Sequence, residues 1–248
     1  MNIVIIGGTG LIGKQVTTLL QQAGHAVTAA SPSSGVNAVT GEGLSEALVD
    51  AQVVVDVTNS PSFEDEAVMH FFRGSTQNLL AASERSGVRH FVALSVVGSE
   101  RLPESGYFRA KVAQEALIKA GPVPYTLVRA TQFFEFLMSV AHVGTVGNTV
   151  PLPSAPLQPI AAADVAAALA EVAVQAPLNG TCEVAGPEAM PLDALIRRVL
   201  QARQDPREVV SDPNARYFGT PIDDHSLVPG PGARIAATTL DQWLANGP

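Results

Sequence analysis

Ser95, Tyr107 and Lys111 have the types and the spacing to deliver a proton to a carbonyl oxygen. Tyr107 and Lys111 stand four residues apart in Gly106-Tyr107-Phe108-Arg109-Ala110-Lys111, so a helix sets both on one face. A phenol with its ordinary pKa of ~10 is a poor acid near neutrality and needs help. A lysine one helical turn away gives that help, because its positive charge stabilises the phenolate. A serine hydroxyl can hydrogen-bond a substrate carbonyl oxygen while hydride arrives at the carbon. Tyr-x-x-x-Lys pairs also occur on helices as a boundary aromatic beside a surface charge. Here the pair follows the fourth major strand, and the chain also offers a place for a hydride donor.

That place is the beginning of the chain. Ile3-Val4-Ile5-Ile6 is the β-branched run expected of a strand buried on both faces of a parallel sheet. Gly7, Gly10 and Gly13 follow, and Leu11, Ile12, Val16, Leu19 and Leu20 then recur at helical intervals up to Gly24. In such a strand–turn–helix unit Gly7 permits the tight turn, Gly10 lets a pyrophosphate approach the backbone, and Gly13 lets the helix pack on the sheet. Free N–H groups at the helix start would face the phosphates. The plain alternative is a glycine-rich turn that binds nothing.

The elements that must position these residues follow in order. Ala26 to Ala30 reads as a second strand, running into the polar turn Ser31-Pro32-Ser33-Ser34-Gly35. NAD-binding units usually place an acid near this point to hold the ribose 2′-hydroxyl. Serines stand here instead, with Lys14 nearby in sequence, so NADP is favoured over NAD. An ordinary Ser-Pro turn fits the same residues. Gly43 to Val49 suits a short helix, and Gln52 to Val57 a buried strand leading into Thr58-Asn59-Ser60-Pro61. A helix over 64–86 is expected to start with a capping box from Ser62 to Asp65. It should bury Val68, Phe72, Leu79 and Ala82, with Gly74 permitting close packing and His70 and Arg73 solvated. His90 to Ser95 is the next strand. A helix over 106–120 should bury Phe108, Val112, Ala116 and Leu117, and Val123 to Arg129 forms another strand. Such alternation predicts an α/β fold, a doubly wound parallel sheet covered on both sides.

From Ala130 the character changes. Phe133, Phe134, Phe136, Leu137 and Met138 crowd together, and prolines recur at 151, 153, 156 and 159. Helices over 161–175 and 191–203 flank a strand over 181–184. A proline- and glycine-rich loop over 211–232 carries Arg216, Tyr217 and Phe218, and a last helix holds Leu240, Trp243 and Leu244. The expected organisation is one domain over 1–248, with a core over 1–130 and a small C-terminal α+β lobe mainly over 131–248.

Composition narrows the function. The 248 residues are 46% hydrophobic and 15% charged, a globular composition long enough to bury a large core. A net charge of −8 supplies no basic stripe and speaks against nucleic acid as partner. The lone Cys182 rules out an internal disulfide, suits a reducing cytosol, and reads as a small buried hydrophobe. The five histidines, His25, His70, His90, His142 and His225, lack ligand spacing, so no metal site is expected. Neither a signal peptide nor a membrane span is expected, which points to a cytoplasmic protein.

The chain resembles the short-chain dehydrogenase/reductase superfamily, and more closely its atypical, NmrA-like branch of NAD(P)-binding proteins. The resemblance is carried by Gly7-Gly8-Thr9-Gly10-Leu11-Ile12-Gly13, Val55-Asp56-Val57-Thr58-Asn59, Ala93-Leu94-Ser95 and Gly106 to Lys111. Leu127 to Phe133 and Ile160 to Ala166 extend it, so that it covers most of the chain to about Gly186. It implies a Rossmann core with a substrate lobe, and a dinucleotide lined by Gly7, Thr9, Gly10, Leu11, Ile12, Ser31, Ser33, Thr58 and Asn59. Ala130 to Phe133 would lie near the nicotinamide. Two departures stand out. His70-Phe71-Phe72-Arg73-Gly74 lacks the asparagine often found on the long central helix, and no arginine follows the second strand.

Together these residues suggest an NAD(P)H-dependent oxidoreductase acting on a small carbonyl or quinone-like substrate. Tyr107 would be proton donor, Lys111 would hold the nicotinamide ribose, and Ser95 would orient the carbonyl. Phe133, Phe134 and Tyr217 would wall an apolar pocket. One alternative is an NADP(H)-sensing regulatory protein without turnover. Another is a nucleotide-sugar epimerase, disfavoured by the short, little-charged stretch after Gln175. A homodimer is left open.

Overall fold

The computed structural model describes residues 1–247. Its elements in chain order are β1 (Asn2–Ile6), α1 (Leu11–Gln22), β2 (Ala26–Ala30), α2 (Leu44–Ala47), β3 (Val53–Asp56) and α3 (Asp65–Arg85). Next come β4 (His90–Val96), α4 (Gly106–Ala120), β5 (Tyr125–Ala130), α5 (Leu137–Val143), β6 (Thr149–Leu152), β7 (Pro156–Leu157) and α6 (Ala162–Val174). The chain closes with β8 (Gly180–Ala185), β9 (Met190–Pro191), α7 (Leu192–Ala202), β10 (Glu208–Ser211), β11 (Arg234–Ile235) and α8 (Leu240–Ala245).

Seven strands form one sheet in the order β11-β8-β5-β4-β3-β1-β2. The pairs β1–β2, β1–β3, β3–β4 and β8–β11 are parallel, with Ile3 opposite both Val27 and Val53, and Val53 opposite His90. This is the expected Rossmann-type α/β fold. From β1 the chain first moves outward to β2, then returns across β1 to reach β3. The strand order therefore reverses between β1 and β3, the position at which open α/β sheets generally bind ligands beyond the carboxyl ends of their strands.

Two compact units are present. The first comprises Met1–Ser95, Gly106–Arg129 and Val165–Cys182; the second comprises Val96–Ser105, Ala130–Asp164 and the chain from Glu183 onward. In the first, alternation along the strands sends Val4, Ile6, Val54, Phe91, Ala93 and Leu127 into one cluster. Leu44 and Leu48, Leu79 and Ala82 of α3, and Ile118 of α4 complete it. Ile3, Ile5, Val53 and Val55 face the other way and are equally buried. In the second unit β6 pairs with β10 and β7 with β9. Phe134 packs on the Trp243 ring with centroids 5.5 Å apart. The Glu135 carboxylate accepts hydrogen bonds from Trp243 Nε1 at 3.1 Å and from the Ala162 N–H that opens α6.

Several local expectations need correction. Ser62 forms no capping box: α3 begins one residue after Glu64, and the Ser62 hydroxyl instead accepts the Glu64 N–H at 3.2 Å. Gly74 is not needed for packing, since an added Cβ would meet nothing closer than 3.8 Å. Leu11 and Leu19 of α1 are exposed, and the helix buries Ile12, Val16 and Leu20. Cys182 is half-buried. The largest departure is α4, where Val112 and Ala116 face solvent while Lys111, Gln114 and Glu115 face inward. Of the expected stripe Phe108 is buried and Leu117 half-buried against the core, but Val112 and Ala116 are not, because apolar periodicity gives no credit for polar side chains that find partners inside. By contrast, Val68, Phe72, Leu79 and Ala82 of α3 are all buried, as the spacing predicts.

Candidate cofactor and proton-transfer site

At the end of β1 the backbone turns with Gly7 at φ +84°, a conformation that suits glycine. The N–H groups of Gly7 and Gly8 both donate to the Ala30 carbonyl, at 2.9 and 3.1 Å, tying the turn to β2. Gly10 is the residue before α1, with no side chain capping the helix. The first helical bond runs from Lys14 N–H to the Gly10 carbonyl, so the N–H groups of Leu11, Ile12 and Gly13 have no acceptor within the helix. Thr9, Gly10 and Leu11 are exposed, which leaves this positive helix end open to an anion. A Cβ on Gly13 would lie 2.2 Å from the Gly7 carbonyl oxygen, so Gly13 holds helix and turn together. Gly8, which motif spacing did not single out, is equally constrained, because a Cβ there would sit 2.7 Å from Ala29 Cα.

The Gly7 turn also touches the exit of β3. A Cβ on Gly7 would fall 3.0 Å from the Val57 carbonyl oxygen and 3.1 Å from the Thr58 nitrogen. Asp56 ends β3 facing α4, fully buried. Its Oδ1 accepts both the Thr58 N–H at 3.0 Å and the Thr58 hydroxyl at 2.7 Å, and its Oδ2 accepts Gln114 Nε2 at 3.1 Å. Burial raises the Asp56 pKa, with partial relief from Thr58, Lys111 and Gln114. Asn59 is exposed and accepts the Ser60 N–H. Ser31 and Ser33 share a hydrogen bond of 2.8 Å in a tight turn after β2 that Ser34 also braces. This turn holds no carboxylate.

Lys111 is 2% exposed. Its Nζ donates to the Leu94 carbonyl at 2.9 Å and to Gln114 Oε1, and lies 4.3 Å from the centre of the Phe72 ring. Burial lowers its pKa to about 8 against the opposing charges of Asp56 and Glu115. The Ser95 hydroxyl donates to Glu115 Oε1 at 2.7 Å, and Arg129 clasps the same carboxylate with Nε and a terminal nitrogen, each at 2.8 Å. Burial alone would raise the Glu115 pKa; Arg129 and Ser95 outweigh it, and the pKa is lowered. Glu115 lies two helical turns beyond Tyr107 on α4, a rise of about 12 Å. Ser95 is thus engaged deeper along the helix than the phenol. Tyr107, half-buried, is ringed by Phe63, Phe72 and Phe108 with centroids 5.7 to 5.9 Å away. Burial pushes its pKa up to about 12, which keeps the phenol protonated at neutral pH, so the help expected from Lys111 does not lower it in this structure.

In the second unit, Ala130 is buried and its carbonyl accepts the Val97 N–H. Phe133 is half-buried and bridges to Ile160. Phe134 is buried against Trp243, and Tyr217 is buried with its ring edge-on to Phe218, which also stacks on Phe136.

Residues 7–176 match the model of a protein family described as NAD(P)H-binding, well over half of the chain. The chain belongs to the NAD(P)H-binding family. The match agrees with the resemblance to atypical short-chain dehydrogenase/reductase proteins of the NmrA-like branch. Among curated proteins, it is similar to the photosystem II assembly factor Ycf39 of Cyanophora paradoxa. The two are 24% identical over 152 residues, 56% of this chain and 47% of that protein. The chain spans about half the length of the curated relatives it matches. A short-chain dehydrogenase/reductase superfamily protein from Agrobacterium tumefaciens with bound NAD shares the fold. It is 17% identical, with a TM-score of 0.74 over 99% of this chain and 95% of that one. So does dTDP-4-dehydrorhamnose reductase from Bacillus anthracis in complex with NADP. That protein is 14% identical, with a TM-score of 0.69 over 99% of this chain and 92% of that one.

A nicotinamide dinucleotide fits the family's glycine turn here. The open helix N-terminus suits a pyrophosphate, and Gly7, Gly8 and Gly13 leave no room for side chains that would displace the turn. Sequence reasoning singled out the turn, Ser95, Tyr107 and Lys111 as candidates. It missed the buried set of Asp56, Gln114, Glu115 and Arg129. The available signal was three polar residues of α4 at the i, i+3 and i+4 spacing of a single helix face.

Proposed function

We propose that this protein is an NAD(P)H-dependent oxidoreductase that reduces a small carbonyl or quinone-like substrate, with Tyr107 as proton donor. One observation carries the reading: contacts run without a break from the Gly7 turn to Val57 and Thr58, to Asp56, to Gln114, to Lys111. The phosphate-type turn and the helix bearing the phenol–ammonium pair therefore belong to one packed unit. A nicotinamide dinucleotide, when bound, would supply hydride. Leu11 and Ile12 would hold its diphosphate through backbone N–H groups, with Thr58 and Asn59 beside it. Tyr107, kept neutral by burial, would release its phenolic proton to the substrate oxygen. Lys111, still largely charged at neutral pH, would steady the phenolate left behind and hold the ribose. The absence of a carboxylate in the Ser31–Ser34 turn favours NADP(H), since an acid there would repel a 2′-phosphate.

Purified protein titrated with NADPH and NADH, then offered a panel of carbonyls and quinones, tests this. NADPH is expected to bind more tightly, and Tyr107→Phe to bind NADPH as the wild type does while turnover falls by at least about 100-fold. Undiminished turnover would remove the phenol from the mechanism. A second reading, a dinucleotide sensor without turnover, is favoured by Ser95 and Lys111 already being satisfied internally. It predicts NADPH binding, no reduction of any panel member, and a protein partner retained only by one redox state of the cofactor.

A further inference from the structure

Gln114 occupies a position that the reaction chemistry does not require. Its side chain is buried, and its two ends meet partners of opposite charge: Oε1 accepts from the Lys111 ammonium, while Nε2 donates to the Asp56 carboxylate. A primary amide meets both demands in one orientation only, so its partners fix which way it points. Asp56 spends its other oxygen on the N–H and hydroxyl of Thr58, the residue that meets the Gly7 turn.

We propose that Gln114 is a positioning residue that couples the dinucleotide-facing loop to the lysine. Through Asp56 it braces Thr58, and through Oε1 it sets where the Lys111 ammonium sits. This rests on the oxidoreductase reading for the use of the lysine, but the coupling itself is a property of the fold. An interposed amide holds Lys111 away from a direct ion pair with Asp56, and the Leu94 carbonyl and Phe72 ring fix its remaining directions. The charged groups facing Lys111 are Asp56 from β3 and Glu115 from α4, the latter already engaged by Arg129 of β5 and by Lys119. Tyr107 lies one turn back on α4.

The chain has three lysines, Lys14, Lys111 and Lys119, so isotope-labelled lysine gives a spectrum in which the Lys111 ammonium can be followed by NMR. Lys111→Met assigns its signal. Two near-isosteric changes then act in opposite directions. Gln114→Glu adds an anion beside the ammonium and should raise its titration midpoint by about one pH unit; Gln114→Met removes an acceptor and should lower it by a similar amount. Both changes, and Asp56→Asn, should loosen Thr58 and raise the dissociation constant for NADPH by about tenfold. Circular dichroism establishes that each variant is folded, and if Gln114→Met is not, Gln114→Asn, too short to span the gap, takes its place. An unmoved Lys111 midpoint, a shift of the same sign in both variants, or unchanged NADPH affinity would overturn the coupling. Failure of the wild type to bind either NADPH or NADH sinks the functional reading instead.

Discussion

Burying the Lys111 ammonium costs folding free energy, and the cost depends on pH. In the unfolded chain the group keeps its proton up to about pH 10.5, whereas in the folded protein it releases it from about pH 8. Between these values the unfolded state binds more protons, so stability rises with pH; below about 8 the full penalty is present. Urea unfolding should therefore show the wild type gaining about 2 to 3 kcal/mol from pH 8 to pH 10 relative to Lys111→Met. A wild type and variant with parallel pH profiles would place the ammonium in water. Tyr107 acts in the opposite sense only above pH 10, since burial raises its pKa. At this scale the sequence marked Ser95, Tyr107 and Lys111 as candidates but not their partners. Tyr-x-x-x-Lys spacing is set by the helix repeat alone. The bonds from Lys111 to Leu94 and from Ser95 to Glu115 link residues 17 and 20 positions apart, and no local pattern encodes them.

Helix α4 shows how far a periodic pattern can mislead about an element. Its length and its starting residue are legible, but its inner face carries Lys111, Gln114 and Glu115 among the buried Phe108, Ala110 and Ile118, because Asp56, Leu94, Ser95 and Arg129 await them on the sheet. α1 is the opposite case, with glycine spacing and three-dimensional constraint in close agreement. Two glycines, one inside α1 and one just past its end, separate the reasons for having glycine at all. Gly13 has no φ requirement, yet its Cβ would lie 2.2 Å from the Gly7 carbonyl oxygen; Gly24 has φ +83° with nothing within 4 Å. Gly13→Ala should force turn and helix apart, costing about 2 kcal/mol and most of the NADPH affinity. Gly24→Ala should cost about 1 kcal/mol through backbone strain and leave NADPH binding intact. Thermal unfolding and a fluorescence titration of each variant check both halves, and equal losses of affinity would show that the turn is not the binding element.

Across the whole molecule, legibility falls from one unit to the other. Runs of β-branched residues such as Ile3 to Ile6 and Val53 to Val55, each closed by a turn, made the sheet of the first unit readable. Much of the second is built from strands such as β7, β9 and β11, each two residues long, too short for any periodicity to register. The helix α5 was likewise unanticipated within a cluster of aromatic and aliphatic residues. Stability of this unit should depend on Glu135, which serves both Trp243 Nε1 and the start of α6. Glu135→Ala is expected to cost about 2 kcal/mol by leaving both donors unpaired, measurable as a lower urea midpoint.

Trp243 is the chain's single tryptophan, and it lies in the second unit against Phe134. Excitation at the red edge of the protein's absorption therefore interrogates one place only. Its emission tracks the dissolution of that neighbourhood, while ellipticity averages over every helix. Where the two melting curves part company, the gap between them measures how independently the second unit comes undone.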